Sequence, residues 1–225
     1  MAVSQEGRAS PAIVRHCDRL MDSPVEIGED RRMSRWERPV VVAVCGSPGA
    51  GKTTVARATA RRLCVPFLTR DDIKVGLGLS SASVDEDGGV RLDPDFHIAG
   101  GPLSLRAETV MVDVSRLLAS SGVSFVVESS VLSHTLLDAL LACDARVLAV
   151  HVVARDSVVA ERLRTRAAAG GAIDRQLLSQ FQQGGMKRSI FDPPSGADAV
   201  VEVDTSDDGE PDIEPIEAAV VALIR

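Results

Sequence analysis

From Pro39 onward the sequence predicts an α/β fold built on a parallel sheet. Apolar, β-branched runs alternate with stretches of helical pattern, as in successive β-α-β units. The first apolar run, Val40–Cys45, leads into Gly46-Ser47-Pro48-Gly49-Ala50-Gly51-Lys52-Thr53, a complete Gly-x-x-x-x-Gly-Lys-Thr phosphate-binding loop. The chain has 225 residues, of which 45% are hydrophobic, enough for one α/β core plus an extension.

Residues 1–38 read as an N-terminal extension, partly disordered or packed as an arm, because Gly, Pro, Ser and the charged run Glu29-Asp30-Arg31-Arg32 leave only 12–21 with helical potential. The main α/β domain is expected over 39–225. Its first strand, Val40–Cys45, is continuously apolar, as a strand buried on both faces should be. A helix follows over Lys52–Leu63, then a short strand at 66–68 and a helix from near Asp71. The stretch 80–101, with Ser80-Ser81, Asp85-Glu86-Asp87, Gly88-Gly89 and Gly100-Gly101, reads as a long loop-rich insertion. A helix is expected at about 103–120, a strand at 123–128, and a short helix over His134–Ala142. Strand four is Arg146–Val153. A long helix at 156–169 is broken at Gly170-Gly171, and a second helical stretch covers 174–183. The last strand is 199–203, and 213–224 is a closing amphipathic helix.

The glycines of the loop let backbone N–H groups converge on phosphate oxygens, and the following helix adds the positive end of its dipole. Lys52 can reach the β- and γ-phosphates, and the Thr53 hydroxyl can hold Mg²⁺. Residues 46–53 with Thr54 form the expected nucleotide-contacting set. A second cluster, Thr69-Arg70-Asp71-Asp72-Ile73-Lys74, falls at the carboxyl end of strand two, where open parallel sheets bind ligands. A carboxylate there can take or orient the proton of an attacking hydroxyl. Asp71 is assigned that role, and one of the adjacent pair Asp71 and Asp72 is expected to cap the helix. A third, Phe125-Val126-Val127-Glu128-Ser129-Ser130, ends a strand in an acid. Glu128 either holds Mg²⁺ through water or polarises the acceptor, or else makes a structural pair with an arginine.

In Glu161-Arg162-Leu163-Arg164-Thr165-Arg166, Arg162 and Arg166 are four apart and share a helix face. They suit a nucleotide's base and transferring phosphate, or form a solvated face. Gly170-Gly171 suggests a hinge, hence a lid over about 162–190, with Lys187 and Arg188 as weaker candidates. Thr205, in Asp204-Thr205-Ser206-Asp207-Asp208-Gly209, stands in a loop that either reads a base edge through its backbone or is an ordinary polar turn. His134 and His151 read as structural. His97, near Asp93 and Asp95, is a candidate substrate contact. Asp85, Glu86 and Asp87 lack calcium-loop spacing.

The net charge of −7 argues against a general nucleic-acid or anionic-membrane binder, and the lack of any Tyr argues against aromatic base stacking. No apolar run is long enough to span a bilayer, and no signal-type apolar core opens the chain. Cys17, Cys45, Cys64 and Cys143 are scattered, so reduced, buried thiols are expected rather than disulfides or a metal site, with the cytoplasm as compartment.

Taken in order, Gly46-x-x-x-x-Gly51-Lys52-Thr53, Asp71-x-Ile73-Lys74, Val127-Glu128, Glu161-Arg162-x-x-x-Arg166 and Val203-Asp204-Thr205 resemble the P-loop small-molecule kinases grouped with the zeta-toxin-like and chloramphenicol-phosphotransferase-like ATPases. The resemblance implies a P-loop NTPase fold of the nucleoside-monophosphate-kinase-like kind: a three-layer sandwich with a five-stranded parallel sheet in the order 2-3-1-4-5 and a small helical lid. It implies ATP and Mg²⁺ as cofactors and phosphoryl transfer to a hydroxyl, with Asp71 as base or acceptor ligand. Thr53 and Glu128 are the metal candidates. Glu128-Ser129-Ser130 departs from the family's usual Asp or Glu followed by Gly or Ala.

The expected activity is thus an ATP-dependent kinase for a small hydroxylated molecule, whether metabolite, antibiotic or biosynthetic intermediate. A toxin-like nucleotide-sugar kinase and a regulatory, partner-binding ATPase are the alternatives. Nothing in the sequence names the acceptor, chooses ATP over GTP, or fixes the oligomeric state, for which a homodimer stays open.

Overall fold

The computed structural model describes residues 38–92, 96, 98, 100–170, 172–207 and 209–225. The expected extension over 1–38 therefore lies outside the described residues save for Arg38, as do Cys17, Asp93, Asp95, His97, Gly171 and Asp208.

The elements, in chain order, are β1 (Val40–Cys45), α1 (Lys52–Leu63), β2 (Phe67–Thr69), α2 (Arg70–Ser80), β3 (Ser83–Val84), β4 (Val90–Arg91), α3 (Pro102–Ser120), β5 (Phe125–Glu128), α4 (His134–Ala142), β6 (Arg146–Val153), α5 (Asp156–Ala168), α6 (Ala172–Gln182), a 3-10 turn (Arg188–Ile190), β7 (Ala199–Asp204) and α7 (Glu214–Ile224). The main sheet is parallel in the order β2-β5-β1-β6-β7. Counting its strands alone, this is the expected 2-3-1-4-5.

Every residue of β1 is buried, and alternate residues serve two cores. Val41, Ala43 and Cys45 join Phe125, Val127, Val147 and Ala149 under Met111 and Val112 of α3 and Leu136, Leu137 and Leu140 of α4. Val40, Val42 and Val44 join Val126, Leu148 and Val150 under Val55, Ala56 and Ala60 of α1 and Ile216 and Val220 of α7. The two-residue period of the central strands thus makes the three layers: helices, sheet, helices. A third cluster binds α5 to α6, with Ala154, Val159 and Leu163 against Leu177, Leu178 and Phe181.

Several boundaries move. The second strand runs one residue further, to Thr69, and the third starts at Phe125. The stretch expected to be loop over 80–101 contains an antiparallel hairpin, β3 with β4. Its turn is closed by Asp85, whose backbone N–H donates to Gly89 O at 2.9 Å and whose carboxylate accepts from Gly89 N at 2.6 Å. Of the described thiols only Cys45 is buried; Cys64 is exposed at the left-handed C-cap of α1, and Cys143 is half-buried. Among the described residues no helix is long and apolar enough to cross a membrane.

Candidate active site

The site grows from the way β1 ends. At Gly46 the chain turns so tightly against β6 that a Cβ would stand 2.2 Å from Val152 O, with φ at +141°. Only glycine fits, and Gly46 N donates to Ser130 O at 3.2 Å, tying the loop to the end of β5. Gly51, at φ +91°, is the N-cap of α1 and offers no side-chain cap, and no acid occupies the first turn of the helix. The helix N-terminus is therefore directed at the loop with its dipole uncompensated by protein, the arrangement that receives phosphate.

Lys52 lies in this turn, 7% exposed, its Nζ donating to Ser47 O at 3.1 Å. Burial holds its ammonium below the ordinary lysine range; Glu128 and Asp71 pull the other way, while Arg166 and Arg70 add to the depression. Four charged groups thus act on Lys52, and Glu128 and the residues after Thr69 are near it because β2, β5 and the loop end side by side. In register, Thr69 of β2 and Val44 of β1 both pair with Glu128.

Glu128 is 3% exposed and accepts from Thr53 Oγ1 at 3.1 Å. Burial pushes its carboxyl above the usual carboxylate range, Lys52 opposes that, Asp71 reinforces it, and hydrogen bonds from Thr53 and Thr69 favour the charged form. A buried hydroxyl–carboxylate pair beside a phosphate loop fits Mg²⁺, which takes one or two protein oxygens and completes its shell with phosphate and water. Among the described residues no group of three or more His, Cys, Asp or Glu could hold a metal without such help.

Asp71 and Asp72 are both exposed in the first turn of α2, and neither caps it. The cap is Thr69, whose Oγ1 accepts from Asp71 N at 3.1 Å. The expectation that one aspartate caps the helix is thus corrected: β2 runs one residue longer, and its last residue does the capping. Asp71 is left unengaged in the cap, and its charge bears on both Lys52 and Glu128. A Thr two residues before an Asp-Asp pair is a recognisable cap signal that could have located Thr69.

Arg162 does not reach open space. Its guanidinium donates to Gly49 O at 3.3 Å, to Thr205 Oγ1 at 3.0 Å and to Thr205 O at 2.7 Å. Thr205 in turn donates through Oγ1 to Ala50 O at 2.6 Å, and its N–H donates to Val153 O at 2.9 Å. Both residues brace the outer side of the phosphate loop. Arg166, one turn along α5, is exposed, and among the described residues no hydrogen bond or ion pair occupies it. Arg188 is held by Asp156 at 2.7 Å, away from this cluster. Thr54 is exposed on α1. His134 opens α4, and His151 lies on β6 between Asp192 at 3.9 Å and Glu202 at 3.6 Å.

Three residues without a role assigned from sequence shape the edge of the site. Arg70 approaches Glu108 of α3 at 4.0 Å, and Ser133, the N-cap of α4, donates to the other oxygen of Glu108 at 2.7 Å. Three helices are pinned together there.

A glycine loop at the switch point of a parallel sheet, with a buried lysine and a strand-end acid, defines a P-loop kinase-like domain. The AAA domain family model matches residues 41–188, more than half of the chain, and the chain belongs to that family. No curated protein matches it. Among solved structures, a candidate kinase from Chloroflexus aurantiacus j-10-fl is similar with TM-score 0.64 and 22% identity, over 84% of this chain and 100% of that one. A gluconokinase from Sinorhizobium meliloti 1021 gives TM-score 0.47 and 21% identity over 83% and 92%. The Mycobacterium tuberculosis APS kinase, solved with AMPPNP and APS, gives 0.47 and 18% over 83% and 98%. The first of these likenesses, at 22% identity, concerns the fold.

Proposed function

We propose that this protein is an ATP-dependent phosphotransferase that moves the γ-phosphoryl group of ATP to a hydroxyl of a small molecule. The observation that carries this reading is the convergence of Lys52, Glu128 and Asp71 at the ends of β1, β5 and β2, on the rim of one glycine loop. In the reaction the bond between the γ-phosphorus and the bridging β,γ-oxygen breaks and ADP leaves with that oxygen. A new bond forms from the acceptor oxygen to phosphorus, and the hydroxyl proton passes to Asp71.

Each residue then has a task. Backbone N–H groups of 46–53 and the N-terminus of α1 hold the phosphates, and Lys52 follows charge as it moves to the leaving oxygen. Thr53 and Glu128 would hold Mg²⁺, which when bound supplies charge neutralisation at the phosphates. Arg162 and Thr205 keep the loop in shape. Arg166, on the same helix face but unoccupied, is suited to the transferring phosphoryl group once α6 and the segment after Gly170 close. We infer that the moving lid begins near Gly170, because Val159 and Leu163 are buried and Arg162 is bonded to the loop. The domain of 39–225 with its lid is part of this proposal, and the charge balance and family favour a soluble acceptor over nucleic acid.

The test is phosphate transfer from [γ-³²P]ATP with Mg²⁺ across a library of hydroxylated metabolites, in wild type and Asp71→Asn. Labelled acceptor in wild type and a fall in kcat of about 100-fold or more in Asp71→Asn, with ATP affinity retained, is expected. Label appearing only as inorganic phosphate throughout the library would replace the transferase with a hydrolase.

A further inference from the structure

Lys74 stands one turn beyond Asp71 on α2, where a lysine would ordinarily project into water. Instead it is 7% exposed. Its Nζ donates to Ile98 O at 3.0 Å and lies 5.6 Å from the centroid of the Phe96 ring. The same Ile98 carbonyl accepts from Gly101 N at 3.2 Å, and Gly101 is the N-cap of α3. One ammonium thus joins α2, the approach to α3 and the ring between them. Phe96 also presses on Gly78, one turn further along α2, where a Cβ would stand 2.6 Å from the ring's Cδ2.

These five residues form the inside of a small lobe. Arg70 directly follows β2 and meets Glu108 of α3, while Met111 and Val112 of α3 already lie in the core beneath the sheet. The Lys74–Ile98 contact is one turn of α2 beyond Asp71, which itself stands just after the carboxyl end of β2. A buried ammonium costs more than an apolar side chain of the same size, so stability alone does not explain a lysine here. Its burial depresses the ammonium's pKa and the Asp71 charge counteracts this, which places both in one electrostatic unit.

We propose that Lys74 is the positioning residue of the acceptor pocket: it clasps Phe96 and Ile98 to α2 and so fixes the pocket wall next to Asp71. This rests on the phosphotransferase reading given above. The acceptor oxygen must lie between Asp71 and the γ-phosphate, and a wall misplaced by an ångström there affects the rate steeply.

The test uses the full chain and three variants. Lys74→Met keeps the stem but removes charge and donor; Lys74→Arg keeps both; Gly78→Ala crowds Phe96 without touching Lys74. Amide exchange is followed in the peptides covering 98–103 and 46–53, affinity is read with a fluorescent ATP analogue, and turnover is read as phosphate release with water as acceptor. In Lys74→Met and Gly78→Ala, exchange in 98–103 should rise about tenfold or more, and that in 46–53 should not. Analogue affinity should stay within about twofold, while phosphate release shifts about fivefold or more. Lys74→Arg should remain near wild type in all three. Unchanged exchange in 98–103 overturns the clasp. Faster exchange that spreads to 46–53, or comes with lost affinity, makes Lys74 a residue of the fold at large. Faster local exchange with unaltered phosphate release removes the pocket wall from the proposal. Wild-type protein that binds no analogue sinks the phosphotransferase reading and the pocket with it, while exchange still decides the clasp.

Discussion

Arg162 and Arg166 share a helix face, and the structure separates what each should do when removed. The Arg162 guanidinium makes three hydrogen bonds, at 2.7 Å to Thr205 O, 3.0 Å to Thr205 Oγ1 and 3.3 Å to Gly49 O. Hydrogen bonds from a charged donor contribute about 1.5–3 kcal/mol each, less when one group makes several. Thr205 Oγ1 keeps Ala50 O as a partner, so the loss centres on the two carbonyls. Arg162→Met should therefore destabilise the ligand-free protein by about 2–4 kcal/mol, or roughly 5–15 °C in Tm for a domain of this size. Arg166→Met removes an exposed side chain with no hydrogen bond among the described residues, so its stability should stay within about 0.5 kcal/mol. Its effect should appear only with Mg²⁺ and an ATP analogue, as a Kd raised about tenfold or more through one lost charged contact. Urea unfolding with and without ligand measures both. If Arg162→Met unfolds at the wild-type midpoint, or Arg166→Met loses stability without ligand, the division between brace and phosphate contact is wrong.

Gly46→Ala should fail to fold or lose analogue binding, because the Cβ meets Val152 O at 2.2 Å, whereas Gly76→Ala, with nothing within 4 Å, should gain up to about 1 kcal/mol; thermal melts of the pair decide this. Glu128 has its pKa raised in the fold, so the folded state binds more protons than the unfolded one just above the ordinary carboxylate range. Ligand-free stability should therefore fall as pH rises from about 4.5 through that raised value, and Glu128→Gln should flatten the slope and abolish stabilisation by Mg²⁺ with an ATP analogue. A pH series of unfolding curves that is equally steep in the variant removes Glu128 as the cause. Burial pushes the Cys45 thiol up to about 12, so a thiol reagent should modify Cys64 in native protein and leave Cys45 unlabelled until denaturant is added, as peptide mapping would read.

The parts that were legible in the sequence are those fixed by local pattern. Gly46-x-x-x-x-Gly51-Lys52-Thr53 demands a strand before it and a helix after it, and the apolar runs of β1, β5 and β6 are long enough to carry a two-layer burial signal. The hairpin at Ser83–Val84 and Val90–Arg91 was not legible, since two exposed residues per strand leave no period to read. Helix starts shifted for a similar reason: Thr69 ends a strand and caps a helix at once, so one residue satisfies two signals. The partners of Arg162 and Lys74 lie beyond any local rule. Both are cations on helices, where solvent is the usual destination. Their contacts depend on where the Thr205 loop and the Phe96–Ile98 approach come to rest, and that is settled by packing far along the chain.

The same distinction explains why the phosphate site carries opposed charges that the fold alone does not favour. Lys52 and Glu128 are both nearly enclosed, and burial drives each toward its neutral form. Each charge offsets part of the cost of burying the other, and in their charged forms the pair matches a polyphosphate and a divalent cation. Arrival of triphosphate would raise the Lys52 pKa, and arrival of a cation would lower that of Glu128, so each ligand favours the ionised form of the group it meets, and Lys52 and Glu128 favour each other's ionised form. The two binding events are therefore linked through the protonation of residues only one strand apart, and nucleotide without cation should bind with uptake of protons while the pair together binds with less. Proton uptake measured by calorimetry in two buffers of different ionisation enthalpy distinguishes this from independent sites: equal uptake with and without Mg²⁺ means that Glu128 takes no part, and the metal then rests on Thr53 and the phosphates alone.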